Sequence, residues 1–446
     1  MQTRVDIGQL LDTARWSGYS KWLVSLVAMT IVFDGIDNQL LGIVIPTIME
    51  EWKVARSAFS PVVSLGYMGM MIGGAAAGFA GDRFGRRTAL LASVVVFGVT
   101  TLGAALVHDI TSLGVLRFLA GLGLGGAMPN AAALAAEYVP RRQRAFAVTL
   151  TIVCVPLGGT FAGLLGIRML PIVGWRTLFV LGGIIPIVAA IALRFVMPES
   201  PRFLARHPAR WKELIALLGR MGHRLDDAVA FEDKAEQSTA KVSIGSLFRP
   251  EFRRDTLALW ASFFCCLLSV YLGFSWLTAL LTGAGFSTSV ASTGITVFNL
   301  GGVFGALVGG VAIGRFGSRI SMLAMSAAAI AGAGLLSVMD ITPANLTQLL
   351  VLLTLTGASI NGVQTTMYAL AAHVYPSIVR ASGVGSAVAF GRSGAILVGY
   401  VGPWTIALGG TTAFFGAVAT MMMATFVALA IVRHHVPPHV TGRINE

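Results

Sequence analysis

Two aspartates inside a long apolar stretch are the residues whose types and spacing most directly suggest chemistry. Asp34 and Asp37 lie in an apolar run from about Trp22 to Ile48, which is long enough to span a bilayer. A helix places Asp34 about 18 Å beyond Trp22, near the middle of the membrane. Residues three apart share one helix face, so both carboxyl groups are expected to face a protein interior or a water-filled cavity.

The two carboxyl groups admit two interpretations. In the first, they face a transport path and carry a proton or bind a substrate, as intramembrane ionisable residues commonly do. In the second, Asp34 caps a new helix after a short membrane segment. The first is favoured because apolar residues resume at Leu40 and continue to Ile48. Carboxyl groups this close disfavour double ionisation, so one of them could carry a proton, but the spacing does not say which.

The composition of the chain indicates a polytopic helical membrane protein. Of its 446 residues, 55% are hydrophobic and 12% are charged, whereas soluble domains carry about 25% charged residues. The net charge of +12 could suggest a nucleic-acid partner, but most basic residues flank apolar segments, as in the positive-inside pattern, so none is predicted. The three cysteines lie in apolar segments without metal-ligand spacing, so neither a metal nor another cofactor is predicted.

Hydropathy divides the chain into about twelve membrane-spanning helices. Six precede a polar stretch and six follow it, so the predicted divisions are a first half at 1–196, a central cytoplasmic loop at 197–255 and a second half with a short tail at 256–446. The arginine-rich loops and both termini fall on one side, which is expected to be cytoplasmic. Within the loop, residues 211–218 predict an amphipathic helix that lies on the membrane surface or serves as a linker.

Two motifs recur at corresponding positions in the two halves. Residues 78–87 match residues 310–319, and residues 135–144 match residues 371–380. Each match lies between corresponding predicted helices, and the two motifs occur in the same order. Internal symmetry of this kind marks transporters with paired halves and a binding site near the middle of the membrane.

On these motifs the chain resembles the major facilitator superfamily. The turn at 78–87 resembles the superfamily's loop after the second helix, Arg117 and the glycines after it resemble its fourth-helix motif, and residues 198–204 are similar to the stretch that closes the sixth helix in several of its families. The resemblance implies an all-α polytopic fold of about twelve transmembrane helices in two pseudo-symmetric six-helix halves. One departure is Gly314, where the repeated loop often carries an acid.

Within the superfamily, two stretches resemble the aromatic acid:proton symporters. Residues 34–37 read Asp-Gly-Ile-Asp, similar to that family's Asp-Gly-x-Asp signature, and residues 391–394 read Gly-Arg-Ser-Gly, similar to its eleventh helix. The resemblance implies import of a small aromatic carboxylate by proton symport and alternating access, in aromatic hydrocarbon catabolism. The substrate would be of the hydroxybenzoate, protocatechuate, gentisate or phenylpropionate type, and the proton gradient would supply the energy.

Four residues are predicted to bind the substrate and the proton: Asp34, Asp37, Arg117 and Arg392. Arg392 lies 12 residues past Arg380 and therefore at about the depth of Asp34. Its planar guanidinium suits a substrate carboxylate, but it could instead form a permanent ion pair with Asp34 or Asp37. Arg117 could pair with Asp37 or help to couple protons, as the resemblance implies, or it could be a snorkelling structural arginine.

A second set of residues is predicted at the cytoplasmic ends of the helices. The resemblance implies that Asp82 helps to hold the outward-open state through the other half, and the position of Glu137 suits a cytoplasmic gate. The predicted gating and signature-loop residues are Gly78, Asp82, Arg83, Gly85, Arg86, Arg87, Glu137, Arg144 and Arg380. Polar residues inside apolar helices could bind ring hydroxyls, although bonds between helices are their commoner role; they are Asn38, Gln39, Asn361, Gln364 and Tyr368.

Other functions stay open at this point. The chain could export or carry a different organic anion, a sugar or a drug, or it could be a non-transporting membrane sensor. It has no nucleotide loop and no nucleophile motif, so an enzyme is not predicted. The expected partners are an aromatic acid anion, a proton and the bilayer of the cell's inner membrane. Because both halves lie in one chain, a monomer is expected to suffice.

Overall fold

The computed structural model describes residues 4–14, 16–223, 230–233 and 244–438, and these residues are almost entirely helical. One short parallel sheet joins β1 (Arg4–Asp6) to β2 (Ala230–Glu232), with Val5 opposite Phe231. The sequence did not predict this sheet, because three-residue strands carry too little alternation to be recognised. The helices in chain order are α1 (Ile7–Thr13), α2 (Gly18–Trp52), α3 (Ser60–Phe84), α4 (Arg86–Ala104), α5 (Ile110–Glu137), α6 (Arg144–Val196), α7 (Pro201–Ala205), α8 (Trp211–Met221), α9 (Pro250–Gly283), α10 (Thr288–Phe316), α11 (Ser318–Val338), α12 (Leu346–Val374) and α13 (Ser377–Ile431).

Within the described residues, ten helices are long and apolar enough to cross a membrane. Two of them, α6 and α13, each contain two of the predicted spans. Their helical geometry is interrupted at Gly174 in α6 and at Gly409 and Gly410 in α13. Gly174 and Gly410 have φ values of 73° and 57°, a region that only glycine adopts readily. The twelve predicted segments are therefore all helical, which confirms an all-α polytopic membrane protein.

Asp34 lies midway along α2, and this helix is continuous from Gly18 to Trp52. The interpretation of Asp34 as a helix cap is therefore wrong, because the helical hydrogen bonds continue through the polar stretch. Gly35 allows a close helix neighbour instead of a break. A methyl group at Gly35 would lie 2.2 Å from the carbonyl oxygen of Val155, and one at Gly158 would lie 2.2 Å from that of Val32. Glycines thus bring the backbones of α2 and α6 into contact.

The described residues form two compact units. The first draws on Met1–Asn38, Met68–Gly158 and Phe179–Ala240, and α4 packs along α5 within it. The second draws on Gln39–Tyr67, Gly159–Leu178 and Lys241–Glu446, and within it α9 packs along α13 and α10 along α12. The division of the chain into halves at 1–196 and 256–446 stays a prediction, because these units group residues by contact density alone.

The amphipathic helix predicted in the central loop is α8. It buries Leu214, Leu217, Leu218 and Met221 and ends at Gly222, whose φ of 103° terminates the helix. Trp211 at its start donates from Nε1 to the carbonyl oxygen of Ala205 at 2.9 Å. Protein therefore already covers the apolar face of α8, which favours the interpretation as a packed linker helix.

Candidate functional site

Asp37 belongs to a buried polar cluster on α2, α4 and α5. Nη1 of Arg117 lies 3.4 Å from Oδ2 of Asp37, and Nη2 of Arg117 donates to Oγ1 of Thr101 at 2.7 Å. The Thr101 hydroxyl in turn donates to Oδ1 of Asp37. Asp37 and Thr101 are fully buried, and Arg117 is 4% exposed. The guanidinium also lies over the ring of Phe179, with Cζ 5.3 Å from its centroid.

This cluster pairs Arg117 with Asp37, as one of the sequence alternatives predicted, and Arg117 does not snorkel. A buried charge is tolerated when it is paired and hydrogen-bonded, and both conditions hold here. A carboxyl group with one cationic partner and one hydroxyl partner can exist in either protonation state. The arrangement is therefore chemically able to take up and release a proton.

The second aspartate of α2 is also buried. Asp34 is 3% exposed, so both carboxyl groups face protein and not lipid, as predicted from their spacing. Asp34 takes part in an interaction with its surroundings and is not an isolated charge. Asn38, on the same helix, is half-buried.

Arg392 lies on α13, near Tyr368 of α12. Tyr368 on α12 is within range of an electrostatic interaction with Arg392 and Tyr271, and Gln364 lies one turn earlier on the same helix. Phe263 meets Tyr368 edge to face, with ring centroids 5.4 Å apart. Two residues predicted as polar lining, Gln364 and Tyr368, thus accompany the predicted carboxylate-binding arginine. A guanidinium next to aromatic surface and hydroxyl groups can hold an aromatic carboxylate.

Further aromatic residues, which sequence analysis missed, continue from this group. Tyr271 packs against Tyr67 with ring centroids 4.6 Å apart, and the Tyr67 hydroxyl is 2.7 Å from Oγ of Ser275. Phe274 stands edge-on to Tyr271 at 5.7 Å. Nothing in the sequence distinguishes these rings from the many others in apolar helices, and only their contacts with one another in the structure do so.

Gln39 is engaged by a partner on α10. Its Nε2 donates to Oδ1 of Asn299 at 2.8 Å, and Nδ2 of Asn299 donates to Oε1 of Gln39 at 2.7 Å. Both residues are fully buried, and Gly159 packs against them so closely that a methyl group would lie 2.0 Å from Nε2 of Gln39. The Gln39 amide therefore makes the interhelical bond that was the alternative to binding a ring hydroxyl. Asn361, also buried, donates to Gly357 of its own helix at 2.9 Å.

The loop between α3 and α4 is built around a buried carboxylate that sequence analysis did not select. Glu199 is fully buried and accepts hydrogen bonds from the backbone N–H groups of Arg87 at 2.8 Å and Thr88 at 3.3 Å. It thus caps the start of α4. Gly85 has φ of 101°, and a methyl group there would lie 2.3 Å from Oε2 of Glu199. The side chain of Arg87 donates from Nη1 to the carbonyl oxygen of Met197 at 2.8 Å.

Glu137 forms a second polar group on the same side of the first unit. Nε of Arg86 lies 3.9 Å from Oε1 of Glu137, and Nη2 of Arg86 lies 2.5 Å from Oδ1 of Asp82. The Ser200 hydroxyl also donates to Glu137. Burial raises the pKa of the neighbouring Tyr138 well above its ordinary value, so the neutral phenol donates to the carbonyl oxygen of Pro198 at 2.5 Å.

Among the described residues, the remaining predicted gating residues form no hydrogen bond or ion pair with Glu199 or Glu137. Arg144 pairs with Asp12 of α1, and Arg380 is exposed and donates to the carbonyl oxygen of Tyr375 at 3.3 Å. Arg83 is exposed, with Cζ 5.5 Å from the centroid of the Phe84 ring. Gly78 has open space where a side chain would be. In the described part of the chain, no group of three or more His, Cys, Asp or Glu side chains could hold a metal ion.

The helices, the buried ionisable groups and the internal repeat define a polytopic membrane transporter. The family model described as Major Facilitator Superfamily matches residues 27–342 and 259–446. The 4-hydroxybenzoate transporter PcaK of Acinetobacter baylyi is 35% identical over 96% of this chain and 94% of its own length. The gallate transporter of Pseudomonas putida is 34% identical over 91% and 90%. The structure of the xylose transporter XylE of E. coli, in a partially occluded inward open conformation, aligns with a TM-score of 0.73 at 16% identity over 92% of this chain and 97% of its own.

The chain belongs to the major facilitator superfamily and, within it, to the family of aromatic acid transporters. It is an integral membrane transport protein and not an enzyme. The likeness to XylE concerns the fold alone, because the identity of the two chains is low.

Proposed function

We propose that this protein imports a small aromatic carboxylate together with a proton, by alternating access, across the inner membrane. Its relatives are named for the transport of 4-hydroxybenzoate and gallate, both aromatic acids with ring hydroxyls. The observation that carries the proposal is the buried Asp37 in contact with Arg117 and Thr101. A buried carboxylate inside a transporter is a natural proton carrier.

In this proposal the substrate carboxylate binds Arg392, and the ring lies against the aromatic side chains beside it. Tyr368 and Tyr271 supply ring surface, and the paired hydroxyls of Tyr67 and Ser275 bond to ring hydroxyls of the substrate. Asp37 takes the proton on the outside and releases it in the cytoplasm. Both termini lie in the cytoplasm, on the arginine-rich side, and a single chain performs the cycle.

The proposal is tested with purified protein in liposomes that contain a pH-sensitive dye. Addition of 4-hydroxybenzoate, gallate or gentisate is expected to acidify the interior beyond the level of protein-free liposomes, whereas xylose and a cationic drug give no such signal. Asp37→Asn, which cannot cycle a proton, and Arg392→Ala, which loses the guanidinium, are each expected to abolish the signal.

The control variants are Asp109→Asn, at an exposed residue, and Arg210→Ala, at a half-buried one, and both are expected to keep full transport. Asp109 caps α5 by accepting from the N–H of Ser112, and Arg210 pairs with Glu213 at the surface. A signal with xylose or the drug in place of the aromatic acids would reject the substrate class. Undiminished acidification by Asp37→Asn would reject the proton role.

A further inference from the structure

Thr101 occupies an unusual position for a threonine in a membrane helix. Such hydroxyls commonly donate to a carbonyl oxygen one turn earlier in their own helix. Its neighbour Thr100 does so, donating to Val96 at 2.8 Å and to Phe97 at 3.1 Å. Thr101 donates instead to Asp37 on α2 and accepts from Arg117 on α5.

The Thr101 hydroxyl lies closer to Asp37 and to Arg117 than these two charged groups lie to each other. The direct contact of Arg117 with Asp37 is 3.4 Å, whereas Nη2 of Arg117 lies 2.7 Å from Oγ1 of Thr101. A hydroxyl has one proton to donate. By donating it to Oδ1 of Asp37 while it accepts from Arg117, Thr101 specifically stabilises the ionised carboxylate.

Two ionisable groups near Asp37 can be named among the described residues of the first unit, one of opposite charge and one of like charge. Arg117 on α5 is the charged group in contact with it, and Asp34, one turn earlier on α2, is the other carboxyl group of this segment. α6 approaches α2 through Val155 and Gly158 and contributes Phe179 beneath Arg117. α4 contributes Thr101 itself. Thr101 is therefore the uncharged hydrogen-bonding partner of the carboxylate in this cluster.

We propose that Thr101 is a positioning residue that sets the proton affinity of Asp37 through its hydroxyl group. This inference rests on the proposed function, since it takes Asp37 to be the group that carries the proton. Thr101 would act through Asp37 and not by binding the substrate. Removing the hydroxyl removes a bond to the ionised form, so Asp37 should hold its proton to higher pH. Hydrogen bonds to charged groups are strong enough to move such a midpoint by about one pH unit.

The first measurement is an infrared pH titration of the reconstituted protein without substrate. The protonated-carboxyl band of Asp37 is the one that disappears in Asp37→Asn. Its midpoint is expected to rise by about one pH unit in Thr101→Val and Thr101→Ala. It should stay at the wild-type pH in Thr101→Ser, which keeps the hydroxyl, and in Thr100→Val, the same change one residue away. Both Thr101→Val and Thr101→Ala are measured so that the test still holds if one of them does not fold.

The second measurement compares two modes of 4-hydroxybenzoate movement. The initial rate of accumulation driven by a pH gradient is expected to fall by up to about tenfold in Thr101→Val, because the proton bound more tightly by about one pH unit is released more slowly, whereas exchange at equal pH on both sides persists. An unmoved infrared midpoint in both hydroxyl-free variants would overturn the inference, as would an equal shift in Thr101→Ser or the absence of any band removed by Asp37→Asn. Equal loss of accumulation and exchange would show a merely structural role. If the wild type moves no aromatic acid, the proposed function fails, while the infrared shift still decides the role of Thr101.

Discussion

At the scale of single residues, two fully buried carboxylates of the first unit, Glu199 and Asp37, are held in different ways. Glu199 accepts from the backbone N–H groups of Arg87 and Thr88 and from the Thr88 hydroxyl, so several donors, two of them on the backbone, hold its carboxylate in place. Asp37 is held by side chains alone, which can rearrange. The first arrangement suits a structural role and the second suits a group that changes its protonation state.

This difference predicts that Glu199→Ala destabilises the folded protein by about 3–5 kcal/mol, because it leaves a buried arginine and backbone donors without their acceptor. Thermal unfolding in detergent measures the effect. Glu199→Gln, which keeps one acceptor oxygen, should lose less. Glu213→Ala removes an exposed partner of Arg210 and should change stability by no more than about 0.5 kcal/mol. Equal unfolding temperatures for Glu199→Ala and Glu213→Ala would contradict the assignment.

At the scale of the helices, glycines differ in what they permit. Gly35 and Gly158 allow the backbones of α2 and α6 to touch, and Gly85 allows the loop before α4 to pass Glu199. Gly78 belongs to the same loop motif in sequence, yet no atom within 4 Å of its missing methyl group requires a glycine there. Small residues at helix contacts replace the hydrophobic driving force that lipid does not supply.

Gly35→Ala is therefore expected to reduce the yield and the unfolding temperature of the protein, because its methyl group would collide with the carbonyl oxygen of Val155. Gly78→Ala is the matched control, and it should be neutral or stabilising by up to about 1 kcal/mol, since alanine is the better helix former. Size-exclusion profiles and thermal unfolding of both variants test the contrast. A Gly35→Ala protein as stable as the wild type would show that α2 and α6 separate without cost.

At the scale of the whole molecule, the paired side-chain amides of Gln39 and Asn299 link two helices that lie far apart in the sequence. Gln39 on α2 and Asn299 on α10 are 260 residues apart in sequence, and each completes the other's hydrogen bonds inside the second unit. Under the alternating access that we propose for this protein, such a pair is a candidate to break and re-form during the cycle. Its worth in a membrane interior is modest, on the order of 1 kcal/mol, which suits a reversible contact.

A double-mutant cycle tests whether the pair acts as one unit. Gln39→Ala and Asn299→Ala should show a coupling energy of about 1 kcal/mol in unfolding measurements, since either single change already breaks both bonds. As a control, Asn299→Ala combined with Thr405→Ala should be additive, because Thr405 bonds to Val401 within its own helix. Additive effects for Gln39→Ala and Asn299→Ala would show that the two residues do not stabilise each other in the folded protein.

The sequence by itself determined the membrane spans, the burial of Asp34 and Asp37, the amphipathic α8 and the family. A helix needs about 20 apolar residues to cross a bilayer, and a charge exposed to lipid is energetically costly. Both the spans and the burial of the aspartates can therefore be predicted from short stretches of sequence. The sequence also limited the role of Arg117 to a few alternatives, one of which was the pairing with Asp37 that the structure contains.

Only the tertiary structure decided which side chains are the hydrogen-bonding partners of the buried polar residues. Thr101, Glu199 and Asn299 are ordinary residues in sequence, and each becomes significant through a contact with a residue 64, 112 or 260 positions away. Which polar side chains meet depends on the rotation and close packing of helices, and residue spacing along one helix does not encode that rotation. The proximity of Tyr368 on α12 to Tyr271 on α9 and to Arg392 on α13 arises in the same way, because helix packing sets which side chains of different helices come close.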